Sequence, residues 1–266
     1  MLLSVPLKTP IASPLNFLAG MAIVLSSLPA WADDQPGVTP YRPSVSFSAQ
    51  ISAPGRLELE LGAQRSKTGD TLRDSVPYDL KLGINSEWGI RLEGEAYVSE
   101  LDGGGNRISG GGDTAVVIKH AFLIDETTAL GLEFGTSVPH SSATTAGSGK
   151  TDHTVNGIVS KDIGSLHLDA NLYFTRLGVF DFDTARIQTG WAVAFSAPVA
   201  GKFGAIAELS GTRRYGAPST AQLLLATTYS PNKQMAIDFG VSKAFNNASQ
   251  NWEMFTGIVV PIGKLW

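Results

Sequence analysis

A chain whose apolar residues recur at every second position can gather them on one face only as an extended strand. From Pro54-Gly55 onward this sequence does so again and again. RLELELGAQRS sets Leu57, Leu59 and Leu61 against Glu58, Glu60 and Gln64. VPYDLKLGIN sets Val76, Tyr78, Leu80, Leu82 and Ile84 against Asp79, Lys81 and Asn85, and WGIRLEGEAYV sets Trp88, Ile90, Leu92 and Ala96 against Arg91, Glu93 and Glu95. The pattern continues through about 113–123, 128–138, 154–161, 165–176, 186–197, 203–212, 219–229, 234–243 and 252–262. That makes twelve expected strands, an even number. A helix through SLHLDANLYFTR would scatter its apolar residues around the axis, so the reading is all-β.

The connections add a second regularity. NSEW, IDET, DIG, APVAG and SPNK are short, whereas KTGDTLRD, SELDGGGNRISGGG, PHSSATTAGSGKT, LGVFDFDTA, RRYGAP and NNASQ are mostly longer and more polar. Short turns at one end and larger loops at the other suit an up-and-down antiparallel transmembrane β-barrel. Twelve strands tilted near 40° would close with a backbone radius of roughly 12 Å, wide enough for small solutes and too narrow for a folded protein.

Alternation alone does not say which face is the inside. If the more apolar parity points outward, Glu58, Glu60, Asp79, Lys81, Arg91, Glu93, Glu95, Lys119, Glu133, Asp169, Arg186, Glu208, Asp238 and Glu253 become candidate lumen-lining residues, with His167 and Asn171 beside them. A soluble barrel would turn these groups to water, whereas a barrel in lipid keeps them in a hydrated interior. Two further features favour lipid outside. Residues 1–32 read as a secretory signal: Lys8, an apolar LNFLAGMAIVLSSL and a small-x-small site at Ala30-Trp31-Ala32. Trp266 shares the parity of Trp252, Ile258, Val260 and Ile262, which would seat it in an interfacial aromatic belt with Trp88, Phe134, Phe174, Trp191, Phe195, Tyr229 and Phe239. Residues 33–53, rich in Pro, Ser and Gln, read as a periplasmic lead-in, and 54–266 as the barrel. These features imply the outer membrane of a Gram-negative bacterium. The chain leaves both a single barrel and a homo-oligomer open.

Among the candidate residues acidic groups outnumber Lys and Arg ten to four. If they stay ionised, the lumen leans toward cations or neutral solutes. The implied partners are membrane lipid and small-molecule solutes. A net charge of −4 without a basic cluster argues against nucleic acid.

No phosphate loop is present, and the chain has no Cys for a thiolate metal site or a disulfide. His120, His140, His153 and His167 lack metal spacing, and no cofactor is expected. GGGNRISGGG reads as a flexible loop whose Asp102 and Asn106 lack the ligand spacing of a calcium loop. The enzymatic alternative is an outer-membrane lipid hydrolase. It would need a serine and a base side by side on the lipid face. His120 has outward parity but Ser137 inward, so no enzyme is expected. A structural or adhesive surface barrel is the third reading.

Arg42-Pro43, Pro54-Gly55, Glu60-x-Gly62 and Gly112-Asp113-Thr114, with Lys119 beyond, occur in an order that resembles the family of outer-membrane transporters associated with the phenol meta-degradation pathway. The resemblance spans about residues 40–266. It implies an outer-membrane channel or transporter for passive passage of small solutes, hydrophobic or aromatic compounds among them. Pro139-His140-Ser141 stands where the family often has Pro-Thr-Gly, which puts that turn in doubt.

Overall fold

A computed structural model describes residues 36–139, 148–179, 181–246 and 250–266. The expected signal segment, 1–32, lies outside the described residues, as do His140 and most of its loop. The strands are β1 (Arg56–Thr68), β2 (Thr71–Gly83), β3 (Trp88–Leu101), β4 (Arg107–Gly110), β5 (Thr114–Asp125) and β6 (Thr128–Val138). They continue with β7 (His153–Ile163), β8 (Leu166–Arg176), β9 (Ile187–Ala200), β10 (Phe203–Arg214), β11 (Thr220–Asn232), β12 (Met235–Ala244) and β13 (Trp252–Lys264).

Every pairing between these strands is antiparallel. β1 pairs with both β2 and β13, and β3 with both β2 and β5, so twelve strands close into a barrel. The remaining strand, β4, extends β3 beyond the wall. Part of the Gly-rich 103–112 stretch is therefore ordered against β3, a correction to its reading as a flexible loop.

One end carries two-residue turns at 126–127, 164–165, 201–202 and 233–234, a four-residue turn at 84–87, and the start of β1. The other carries the longer connections, with one exception. KTGDTLRD is not a loop: β1 and β2 run on until only Gly69 and Asp70 separate them, with Thr68 opposite Thr71. Gly69 takes a positive φ of 57°, which suits a turn that tight.

The two faces separate as alternation requires. Glu58, Glu60, Lys81, Arg91, Lys119, Glu133 and Glu208 are at most 4% exposed. Their apolar neighbours of opposite parity face out: Val116 is 47% exposed, Leu132 50%, Phe134 52% and Leu172 49%. Register keeps Ile118 opposite Phe134 on the outer face and Lys119 opposite Glu133 on the inner one. A wall with charge sealed inside and large apolar side chains outside requires an apolar solvent.

Parity fails for Trp266. A bulge opposite Leu57 and Glu58 pairs Glu58 with Pro261 but Leu57 with Gly263, so Lys264 stands opposite Arg56 on the inner face. Trp266 then leaves the strand. Leu265 N–H donates to Gly55 C=O at 2.7 Å, and the exposed indole lies over Gly55, where a Cβ would come within 3.1 Å of the ring.

Candidate functional site

The lumen is occupied. Residues 36–53, read as a periplasmic lead-in, lie inside the barrel, because their backbone groups find partners on its wall. At the short-turn end Val38 N–H donates to Lys233 C=O at 2.8 Å, and Gln234 and Arg56 both reach Pro36 C=O. The segment then passes along β1: Glu58 accepts from Thr39 N–H at 3.1 Å, and Glu60 accepts from the amides of Tyr41 at 2.8 Å and Arg42 at 3.0 Å. It crosses to β10, where Glu208 takes both the amide and the hydroxyl of Ser46. Asn171 on β8 grips Phe47 on both sides, accepting from its N–H at 2.9 Å and donating to its C=O at 2.8 Å. Ser160 on β7 accepts from Ala49 N–H at 2.7 Å. The return reaches Glu58 through the Ser52 hydroxyl, and the chain enters β1 beside Gly83.

Charged wall residues form one belt around this segment. Lys81 bonds Glu60 and Thr39 C=O, and lies 3.3 Å from Glu58. Arg91 joins Asp79, Glu93 and Glu133. Lys119 pairs with Glu133 at 3.4 Å and donates to Ser48 C=O and the Tyr41 hydroxyl. The Tyr41 ring sits among three cations, with Lys81, Arg91 and Lys119 at 4.5, 4.9 and 4.2 Å from its centroid. Buried charges cost several kcal/mol each unless paired and hydrogen-bonded, and the threaded backbone supplies part of that satisfaction.

The remaining candidate residues fall in several places. Glu95 is held by both arms of Arg73 at 2.6 Å, Glu253 bonds Gln64, and Asp169 meets Ser160 and His167. Asp238 pairs with Arg42 at 3.4 Å. Arg186 differs from the rest: it stands just before β9, exposed at the loop end. Among the described residues, three arginines absent from the candidate set form ion pairs with acidic members of it: Arg42, Arg56 and Arg73. Arg56 and Arg73 share the parity of Glu58 and Asp79, and following that parity to the strand ends would have found them. Arg42 comes from the threaded segment, where alternation gives no signal.

The quoted motifs are brought together in part. Arg42 lies over Gly62 and Gly257, and a Cβ at Gly62 would fall 2.6 Å from its Cζ. Glu60, two residues before Gly62, fixes the Arg42 amide. Gly112, Asp113 and Thr114 lie apart, near the loop end, where Asp113 accepts from Ser148 N–H at 2.7 Å and Thr114 meets the Tyr78 hydroxyl at 2.9 Å. His120 stacks on Phe122 at 4.1 Å on the outer face, and its Nδ1 lies 3.0 Å from the carbonyl of Ala121, whereas Ser137 lines the lumen. That pair is not a catalytic dyad.

Two cavities flank the segment. One of about 450 Å³ lies toward the loop end, lined by Phe47, Ser137 and Ser148 and by the charged Glu60, Asp79, Glu93, Glu95, Asp113 and Arg42. The other, about 680 Å³, lies toward the short turns, with Arg42, His167, Asp169, Lys202 and Lys233 among its lining. Tyr41, Arg42 and Ser44 border both.

The barrel itself matches known architecture. By fold, the chain is similar to a KdgM porin, with a TM-score of 0.53 and 9% identity over 76% of this chain and 98% of that one. A KdgM porin in complex with disordered oligogalacturonate gives 0.50 and 10% over 77% and 97%. The chain has the fold of an outer-membrane porin. A looser likeness, TM-score 0.48 at 8% identity over 80% of this chain and 89% of that one, is to the CymD monoaromatic hydrocarbon channel. No family model and no curated protein matches the sequence.

Proposed function

We propose that this porin-fold barrel resides in the outer membrane of a Gram-negative bacterium and passes small solutes by diffusion. The observation that carries the reading is the pair of lumenal cavities, which lie toward opposite ends and share Tyr41, Arg42 and Ser44 as a waist. Passage would need no covalent step. In the cavity toward the loops five carboxylates and one cation, Arg42, meet the void, while Arg91 and Lys81 lie behind them, buried to 2% exposure. A cation entering there meets negative charge first, so the proposed preference is for cations and neutral molecules. The order of the Arg42-Pro43, Glu60-x-Gly62 and Gly112-Asp113-Thr114 motifs supports membership of the family associated with phenol meta-degradation, and with it aromatic solutes as a substrate class.

Planar-bilayer recording of purified protein tests the reading. Ion conductance with cation preference supports it, and solute competition would name the substrate. The occupied lumen favours a second reading, a structural barrel. An electrically silent but stably inserted protein would support that one instead.

A further inference from the structure

We propose that residues 38–52 form a plug that leaves the lumen as a unit through the short-turn end while the barrel stays closed.

The first argument is topological. The segment enters beside Lys233 and returns beside Gly83, and both positions lie at the short-turn end. A loop with both ends at one opening can be withdrawn without threading the wall. Gly55, at a φ of 73°, joins it to β1 and supplies a permissive hinge.

The second concerns what holds it. Its anchors to the middle of the wall run through side chains: Glu60, Glu208, Asn171, Ser160 and Lys119. It lies within the barrel without adding a strand to the ladder. Tyr41, Ser46, Phe47 and Ser48 border the two flanking cavities, from which water can replace their contacts with the wall.

The third is that the wall's charge belt persists without it. Lys81 keeps Glu58 and Glu60, Arg91 keeps Asp79, Glu93 and Glu133, and Lys119 keeps Glu133. Among the described residues, departure removes one ion pair with the wall, Arg42 with Asp238. Segments bound by solvent-replaceable contacts open below the global unfolding limit.

Amide hydrogen exchange on the intact wild-type barrel in micelles is the test, and it does not depend on conduction. The amides of Tyr41, Arg42, Ser46, Phe47 and Ala49 should exchange with one common rate, at least about tenfold faster than the β7–β8 ladder. A disulfide tether provides the second measurement. Ser48 and Ser160 hydroxyls lie 3.4 Å apart, and the chain has no native cysteine, so S48C/S160C can be closed and reopened with reductant. Closure should slow the segment to the ladder rate, and reduction should restore it. Segment amides exchanging no faster than the ladder, or each at an unrelated rate, would overturn the plug. Correlated exchange with no conductance in either redox form would uphold the plug and sink the channel reading.

Discussion

The guanidinium of Arg42 fills the space that a side chain at position 62 would need: an ideal Cβ on Gly62 falls 2.6 Å from Arg42 Cζ. A Cβ on Gly257, opposite Gly62 on the neighbouring strand, would fall closer still to Arg42 Nε. Two bare positions on the wall thus form a seat for one cation of the threaded segment. Gly62→Val should expel Arg42 and break its ion pair with Asp238, leaving the barrel ladder in place. The Tyr41 and Arg42 amides should then exchange roughly tenfold faster, the equivalent of about 1.4 kcal/mol. Unchanged protection would show that the seat does not matter.

Glu60 accepts two segment amides and bonds Lys81 while fully buried. Glu60→Gln retains an acceptor but removes the charge, and should cost about 1–3 kcal/mol of stability. Glu60→Ala also removes the acceptor and should cost roughly 3–5 kcal/mol. Urea unfolding in micelles gives both values, and equal losses would mean that the carboxylate charge carries the whole effect.

Glu93 and Glu95 line the cavity toward the loops. Neutralising either one as glutamine should lower the cation-to-anion permeability ratio about fivefold, from roughly 1 kcal/mol for a charge at contact distance in water. Reversal potentials in a salt gradient measure it. A ratio that stays fixed would move the filter elsewhere in the lumen.

Leu132 faces outward near the middle of β6, between wall residues Gly131 and Glu133. Leu132→Arg should destabilise the liposome-inserted barrel by about 2–4 kcal/mol, the range for a cation at mid-membrane. A loss near zero would mean that this face meets water.

In the loop before β4, Asp102 accepts from the Asn106 side chain at 3.0 Å, from the Asn106 amide at 2.8 Å and from the Gly104 amide at 2.9 Å. These hydrogen bonds, those from Asn106 first, hold its carboxyl below the usual carboxylate range. The folded value is depressed, so the contribution to loop order is present above the unfolded carboxyl pKa. It is lost as pH falls through the lowered value. Amide shifts of Gly104 and Asn106 should follow that titration, and Asp102→Asn should abolish it.

The wall was legible in the sequence because a strand's side-chain period is fixed at two. Glu58, Glu60, Asp79 and Lys81 could be assigned to one face from spacing alone, and register keeps them there. The same rule carried past its domain misled at Trp266, where one extra residue in the bulge exchanges the faces. Residues 36–53 were illegible for another reason. Many of their anchors join a backbone group to a side chain of a distant strand, as Tyr41, Phe47 and Ala49 do to Glu60, Asn171 and Ser160, and such contacts impose no period on the segment itself. Gly69 and Asp70 were misjudged because polar residues around a turn resemble a loop even when both strands continue through them.

The seam between β1 and β13 also governs how the molecule can be made. Arg56 through Lys67 pair with the last strand, Lys264 back to Trp252, so the earliest strand synthesised must wait for the final one. Nothing short of the full run from β1 to β13 can enclose Glu58, Glu60 and Lys81. Until β1 and β13 pair, the sheet keeps two open edges and these carboxylates and ammonium groups are not enclosed.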